Sequence, residues 1–354
     1  MAKGRDKAGG GIEGRKREHI ETVLNADVAA KGVTAGFERF FLEHVALPEI
    51  DLDAVDLSAS LFGRRLAAPF LISSMTGGTA AAQAINLHLA EAAQRLGIAM
   101  GLGSQRAAVE RPALADTYKV RHVAPDVLLF ANIGAVQLGL GYGVDEARRA
   151  VDMIEADALF LHLNPLQEAV QAGGDRDWSG LLARIEALCR ALPVPVAAKE
   201  VGNGIGAATA RRLVDSGVAA IDVAGAGGTS WSEVEAHRQP DPFVRKVAHG
   251  FAGWGIPTAL AVAEVAAALP GVPVIASGGV RSGIDAATAI RLGAALAGTA
   301  APVLGGATET ADAVHERLRA MIEELRIAAF CAGAPDLAAL RRAVLRRHAD
   351  WSVV

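Results

Sequence analysis

From residue 69 onward the chain alternates between two hydrophobic patterns. Short continuous apolar runs, bounded by glycine and polar residues, give way to longer stretches in which apolar residues return every three or four positions. The first pattern predicts buried parallel strands and the second amphipathic helices packed over them. Strands are expected at 70–75, 98–103, 127–133, 158–164, 194–200, 219–224, 272–277 and 294–298. Helices are expected near 79–96, 112–121, 145–155, 179–191, 206–216, 257–269 and 283–292. Eight strands with a helix between successive ones is the arithmetic of an α/β fold closed as a (β/α)8 TIM barrel. An open doubly wound sheet uses the same alternation, but no Gly-x-Gly-x-x-Gly motif follows the first strand.

The flanks read differently. Residues 1–14 are rich in Gly, Lys and Asp, bury no face and predict a disordered tail. Residues 15–68 form an N-terminal segment expected to cover the barrel, with a helix near 19–28 and short hairpin strands. Residues 69–354 hold the barrel and C-terminal helices, with 308–350 reading as helical. The stretch 225–255 is too long for a plain strand-to-helix loop, which predicts a lid or a subunit contact.

Polar groups cluster where the apolar runs stop. The run Ala158-Leu159-Phe160-Leu161 ends in His162-Leu163-Asn164-Pro165-Leu166-Gln167-Glu168, an imidazole, amides and a carboxylate in seven residues. Similar bursts follow the other strands: Ser73-Ser74-Met75-Thr76-Gly77-Gly78, Gly103-Ser104-Gln105-Arg106, Asn132-Ile133-Gly134, Lys199-Glu200, Gly227-Gly228-Thr229-Ser230-Trp231, Ser277-Gly278-Gly279-Val280-Arg281 and Gly298-Thr299-Ala300-Ala301-Pro302. In a parallel barrel these ends line the catalytic mouth. Any one of them alone would be an ordinary strand-to-loop transition; their recurrence argues for a site.

Composition narrows the class. Of 354 residues, 51% are hydrophobic and 21% charged, enough for one large core. The formal charge of −4 argues against a dedicated nucleic-acid surface. Two cysteines, Cys189 and Cys331, both in predicted helices, read as inert thiols rather than a disulfide or zinc site. No apolar run has membrane-spanning length and no apolar leader opens the chain, so a cytoplasmic protein is expected.

The chemistry of these residues points to a phosphorylated ligand. Glycine-rich loops after strands seven and eight, with a helix start behind them and Arg281 and Thr229 nearby, have the form of a barrel phosphate cup. Lys199 at the mouth is placed to neutralise an anionic ring edge, to form a Schiff base, or to pair with Glu200 or another carboxylate. Arg15-Lys16 alone would read as a solvated charge run.

Taken together, Arg15-Lys16-Arg17-Glu18-His19, Met-Thr-Gly-Gly at 75–78, Gly-Ser-Gln-Arg at 103–106, Asn-Ile-Gly at 132–134, the 162–168 segment, Lys199-Glu200, Gly-Gly-Thr-Ser-Trp at 227–231 and Ser-Gly-Gly-x-Arg at 277–281 resemble the type 2, flavin-dependent isopentenyl diphosphate isomerases. One departure is Ala300-Ala301-Pro302, where the family usually carries a bulkier residue or an Arg before the proline. The resemblance implies an FMN barrel that interconverts isopentenyl and dimethylallyl diphosphate with reduced flavin and Mg²⁺, and NADPH as reductant. It carries flavin contacts onto Ser74, Met75, Thr76, Ser104, Asn132, Lys199, Thr229, Gly279, Val280, Arg281, Ala300 and Ala301. Substrate contacts fall on Arg15, Lys16, His19, Ser104, Gln105, Arg106, Asn164, Gln167 and Trp231, and Mg²⁺ on Glu168. Arg15, Lys16 and Arg106 suit the multiply charged diphosphate so implied. Glu168 by itself is too little for a protein metal cage but enough for Mg²⁺ shared with substrate phosphates.

Few acids line such a mouth besides His162 and the barely acidic Gln167. That scarcity suits reduced FMN as the acid/base, with Gln167 orienting or relaying at the opposite face. His162 then holds the diphosphate or the flavin environment, or is a satisfied strand-end histidine. A 2-hydroxy acid oxidase is the nearest rival, but the late loop holds no histidine; a nucleotide-precursor dehydrogenase would need a loop cysteine. The Ala-rich outer helices and the 225–255 stretch predict a homo-oligomer, tetramer or octamer.

Overall fold

A computed structural model describes residues 12–348, with all their side chains except those of Ile12, Glu13 and Arg15. Eight parallel strands close a barrel: β1 Phe70–Ile72, β2 Ala99–Gly101, β3 Leu129–Gly134, β4 Ala158–Leu163, β5 Val196–Glu200, β6 Ala220–Asp222, β7 Val274–Ala276 and β8 Leu296–Thr299. β8 returns to β1 through Ala297↔Phe70 and Thr299↔Ile72, which leaves no edge and excludes the open doubly wound sheet. The strands are shorter than the apolar runs at their C-terminal ends. Ser74 and Met75 lie beyond β1 and Ala224 beyond β6, while Ser73 N still bonds Thr299 O and Val223 N bonds Ile275 O.

Side chains inside the barrel alternate with those facing the helices, as the pleat requires. Phe130, Phe160, Leu71, Ile275 and Leu296 fill the interior, with Ala99, Ala197 and Ala220 making room for the stacked rings of Phe130 and Phe160, 4.2 Å between centroids. One level above, register aligns Gly134, His162, Lys199 and Asp222 across β3 to β6. An apolar plug therefore supports a polar rim. Below, the hairpin Ala59–Leu61 and Arg64–Leu66 closes the other mouth with Leu61 and Leu66. Its turn residues Phe62 and Gly63 both have positive φ, 51° and 78°, the type I′ geometry that matches strand twist.

Outer helices pack their apolar stripes on the barrel. Ala80–Leu96 is capped by Thr79 and Gly283–Arg291 by Ser282 with Asp285, and Ala311–Cys331 lies across both. The helix expected at 112–121 is instead a short helix, Arg106–Glu110, followed by a 3-10 turn at Pro112–Thr117, because Pro112 carries no N–H to continue the first ladder. The 225–255 stretch folds into the helices Trp231–Arg238 and Pro242–His249 over the rim.

Two expectations at the flanks are corrected. The N-terminal helix runs Ile12–Asn25, so 12–14 are helical; residues 1–11 lie outside the described residues. The C-terminal segment is helical at Ala311–Cys331 and Leu337–Leu340, but then adds a strand, Leu345–Arg347, antiparallel to Phe40–Leu42. A partner some three hundred residues earlier in sequence, reinforced by the Arg346–Glu43 ion pair, overrides local helical periodicity there. No helix among the described residues is long and apolar enough to cross a membrane.

Candidate active site

The C-terminal strand ends open into a cavity of about 510 Å³, within the range of small-molecule and cofactor sites. His162 and Lys199 of the polar rim lie at its floor. Lys199 is buried, donates to the Glu200 carbonyl at 2.7 Å and stands 3.5 Å from Asp222 Oδ2. Of the alternatives open for Lys199, pairing with a carboxylate is realised, but the carboxylate is Asp222. Glu200 projects to the other side of its strand, where Oε2 accepts the N–H groups of Val201, Gly202, Asn203 and Gly204 and pins the loop beside Lys199. Burial pushes the Glu200 carboxyl up to about 7, against the pull of those donors.

His162 Nδ1 lies 2.8 Å from Asn132 Oδ1, so Nδ1 carries the proton and Nε2 is left as an acceptor. Burial, and then the charges of Lys199 and Lys16, lower its pKa to about 4, which keeps the imidazole neutral. Gln105 is not among the residues that border the cavity. Its side chain is wholly buried, with Oε1 accepting from Asn132 N at 2.9 Å and Nε2 donating to Ala150 O at 2.8 Å. The amide mimics a peptide group, extends the ladder past β2 and fixes the Asn132 that orients His162.

One wall is the turn after β4. Asn164 Nδ2 donates to Gln167 Oε1 at 3.0 Å and Glu168 Oε1 at 3.1 Å, and Glu168 Oε2 accepts from Asp175 N at 2.7 Å. Burial raises the Glu168 carboxyl above its ordinary range. Gln167 Nε2 donates to Glu235 Oε1 at 3.0 Å. Burial alone would raise Glu235, but His19, Gln167 and Arg238 outweigh it and hold the carboxyl below its ordinary range.

The N-terminal helix closes the opposite side. Backbone bonds from Ala30 N to Gly228 O and Ser230 N to Val28 O fasten the chain that follows it. Lys16 Nζ donates to Ser104 O at 2.7 Å and to the Tyr118 hydroxyl at 2.5 Å. His19 bonds Glu235 and packs edge-on against Trp231, 5.2 Å between centroids. Arg106 borders the cavity but is engaged with Glu110 and Asp175 at 2.8 and 3.0 Å. The Arg15 side chain lies outside the described residues.

The remaining wall fits a flat phosphorylated cofactor. Ser74, Met75, Thr76, Ser104, Asn132, Lys199, Thr229, Gly279, Val280, Arg281, Ala300 and Ala301 all border one space. The hydroxyls of Ser73, Ser74 and Thr76 are buried without a hydrogen-bond partner among the described residues, an arrangement that calls for a bound group. Gly278 and Gly279 have φ of 96° and 78°, and a Cβ on Gly279 would lie 2.7 Å from Gly227 O, so only glycine lets the two loops meet. The helix start behind them is not open: Asp285 takes the N–H groups of Arg281 and Ser282.

Sequence reasoning missed Glu235, Tyr118 and the Asp222–Ser277 pair. Two of these left a signal. Glu235 is four residues after Trp231, hence on the same helical face, and Asp222 is a charged residue inside the apolar run Ala219–Ala224.

The sequence matches the FMN-dependent dehydrogenase family over residues 11–118 and 162–347. Solved mandelate oxidase structures share the fold, one with (S)-mandelic acid at TM-score 0.65 and 21% identity over 96% of this chain and 97% of that one. The chain thus belongs to a class of flavin-dependent barrel enzymes. Isopentenyl-diphosphate delta-isomerases are far more similar: 62% identical in Synechocystis sp., over 94% of this chain and 95% of the relative, and 60% in Stutzerimonas stutzeri, over 94% and 96%. Within the FMN-dependent class, the chain belongs to the isopentenyl-diphosphate delta-isomerases, type 2.

Proposed function

We propose that this isomerase interconverts isopentenyl and dimethylallyl diphosphate without net oxidation, using resident reduced FMN and Mg²⁺. The carrying observation is the charge inventory of the cavity. His162 is held neutral and Gln167 is an amide, so neither is a ready acid for carbon, and Glu235 behind Gln167 is held ionised. When bound, reduced flavin supplies acid–base chemistry at its face with no net transfer of electrons.

The chain's own residues do the rest. Gly279, Val280, Arg281, Ala300 and Ala301 would hold the cofactor phosphate. Ser74, Met75, Thr76, Ser104, Asn132, Lys199 and Thr229 would hold its ring and chain. Lys16, Arg106, His19, Asn164 and Trp231, with Arg15, would receive the substrate. Glu168 would bind Mg²⁺, which keeps several waters and shares the diphosphate oxygens. The hydrocarbon end offers nothing polar to grip, and Ile20, Val23, Val201 and Leu304 supply apolar wall. Gln167, fixed between Asn164 and Glu235, orients or relays a proton. NADPH would load the flavin. The enzyme would act in the cytoplasm as a homo-oligomer, tetramer or octamer, and exposed Phe243 and Trp254 suit a subunit contact.

The test is anaerobic conversion of isopentenyl diphosphate with FMN, Mg²⁺ and a reductant, beside an oxidised-flavin control. Conversion only with reduced flavin, and no net consumption of reductant, is expected. Bound FMN that consumes oxygen against a 2-hydroxy acid, without conversion, would replace this reading with an oxidase.

A further inference from the structure

Asp222 is wholly buried at the end of β6, in a strand otherwise made of Ala220 and Ile221. A buried carboxylate is costly unless it is paired and hydrogen-bonded. Ser277 Oγ donates to Asp222 Oδ1 at 2.5 Å and Ala224 N to the same oxygen at 3.3 Å. Oδ2 accepts no hydrogen bond among the described residues and faces Lys199 Nζ at 3.5 Å. Lys199 borders the cavity, whereas Asp222 is not among the residues that line it.

The charges around Lys199 leave this role to Asp222. His162, its register neighbour on β4, is a neutral imidazole. Lys16, from the N-terminal helix, acts on the same imidazole and is a like charge. Glu200, next along β5, feels the Lys199 charge but turns its carboxylate to a ring of backbone N–H groups. Ser277 on the β7 side is uncharged.

We propose that Asp222 is a positioning residue: it stands behind the Lys199 ammonium, balances its charge and aims it into the cavity, so that the flavin meets a fixed cation. This rests on the FMN reading above. Without the carboxylate, burial favours the neutral amine. A cation then forms only when reduction places negative charge beside it. Two electrons go to the flavin as before, and one additional proton passes from solvent to the Lys199 amine.

The experiment compares FMN-loaded wild type with Asp222→Asn, measuring the reduction potential of the bound flavin by dye equilibration between about pH 6 and about pH 9.5, where a buried lysine comes to titrate. In the variant, the upper part of the range should be steeper than wild type by about 30 mV per pH unit. That slope is the tenfold-per-unit cost of one more proton in a two-electron couple. Adding Lys199→Arg should abolish the extra slope, because a guanidinium stays charged. Parallel lines in Asp222→Asn, or an extra slope that survives Lys199→Arg, would overturn the proposal. Should Asp222→Asn fail to fold, Asp222→Ser removes the same negative charge and must steepen the line in the same sense; parallel lines there overturn it equally. A wild type that holds no FMN removes the flavin reading itself, whereas FMN-loaded proteins with parallel lines remove only the role of Asp222.

Discussion

Gln167 Nε2 donates to Glu235 Oε1 at 3.0 Å, joining the turn after β4 to the helix after β6 across the mouth of the barrel. The same oxygen receives His19 from the N-terminal helix, and Arg238 holds the other at 2.7 Å. Three segments distant in sequence thus converge on one carboxylate beside the amide proposed to handle the proton. Gln167→Ala should lower turnover by at least ~10²-fold, the scale of a lost proton-transfer group, with FMN still bound. Near-normal turnover would remove Gln167 from the mechanism.

Glu235 also predicts a pH signature in stability. Its folded pKa is depressed, so its contribution is present above the unfolded carboxylate pKa and fades as pH falls through the folded value. Glu235→Gln should therefore unfold at lower urea than wild type at neutral pH, by roughly 1–3 kcal/mol for a buried paired charge. The gap should close in acid. A constant gap across pH would mean that shape, not charge, matters there.

Tyr118 ties the N-terminal helix to the barrel without touching the rim. Its hydroxyl accepts from Lys16 and donates to Ser104 O at 2.8 Å, and burial raises its pKa so that it stays protonated. Tyr118→Phe should cost about 1 kcal/mol in stability. It should raise KM for the diphosphate more than it lowers kcat, because Lys16 loses one of its anchors. Equal losses in kcat and kcat/KM would place Tyr118 in the chemical step instead.

Glu168 should control metal use. Glu168→Gln is expected to weaken Mg²⁺ activation at least ~10-fold while leaving the flavin spectrum unchanged. Burial raises the carboxyl, so protons compete with the metal at higher pH than at an exposed glutamate. The Mg²⁺ concentration for half-activation should rise as pH falls through that raised value. No pH dependence in this quantity would argue against Glu168 as the ligand.

His162 is expected to titrate near pH 4 by NMR, not near its ordinary 6.5. Because the folded state binds the proton less readily, stability should fall as pH drops from about 6.5 towards 4 and be flat above that window. The loss amounts to at most roughly 3 kcal/mol, less because the ring borders the cavity. His162→Asn should flatten this part of the curve. A resonance titrating near 6.5 would show the imidazole free to act as an acid.

Much of this site was legible before any coordinates. Lys199, His162, Gln167 and Glu168 end apolar runs, and a barrel sends such residues to one mouth whatever the loops do. Gln105 shows the limit of that logic. It too follows a strand, but its amide turns outward, bonds Asn132 and Ala150, and supports the site from behind. Spacing gives a residue's level on the barrel; which way a loop side chain turns depends on partners that spacing does not reveal.

The alternation of apolar runs and helical stripes by itself determined eight strands, their order and the end at which polar groups collect, because period and run length act locally on the backbone. Only the tertiary structure decided that Asp222 pairs with Lys199, that Glu235 gathers Gln167 and His19, and that Leu345–Arg347 is a strand against Phe40–Leu42. Each of those outcomes is set by a partner far away in sequence. A buried charge or an open strand edge is stable only once that partner has arrived.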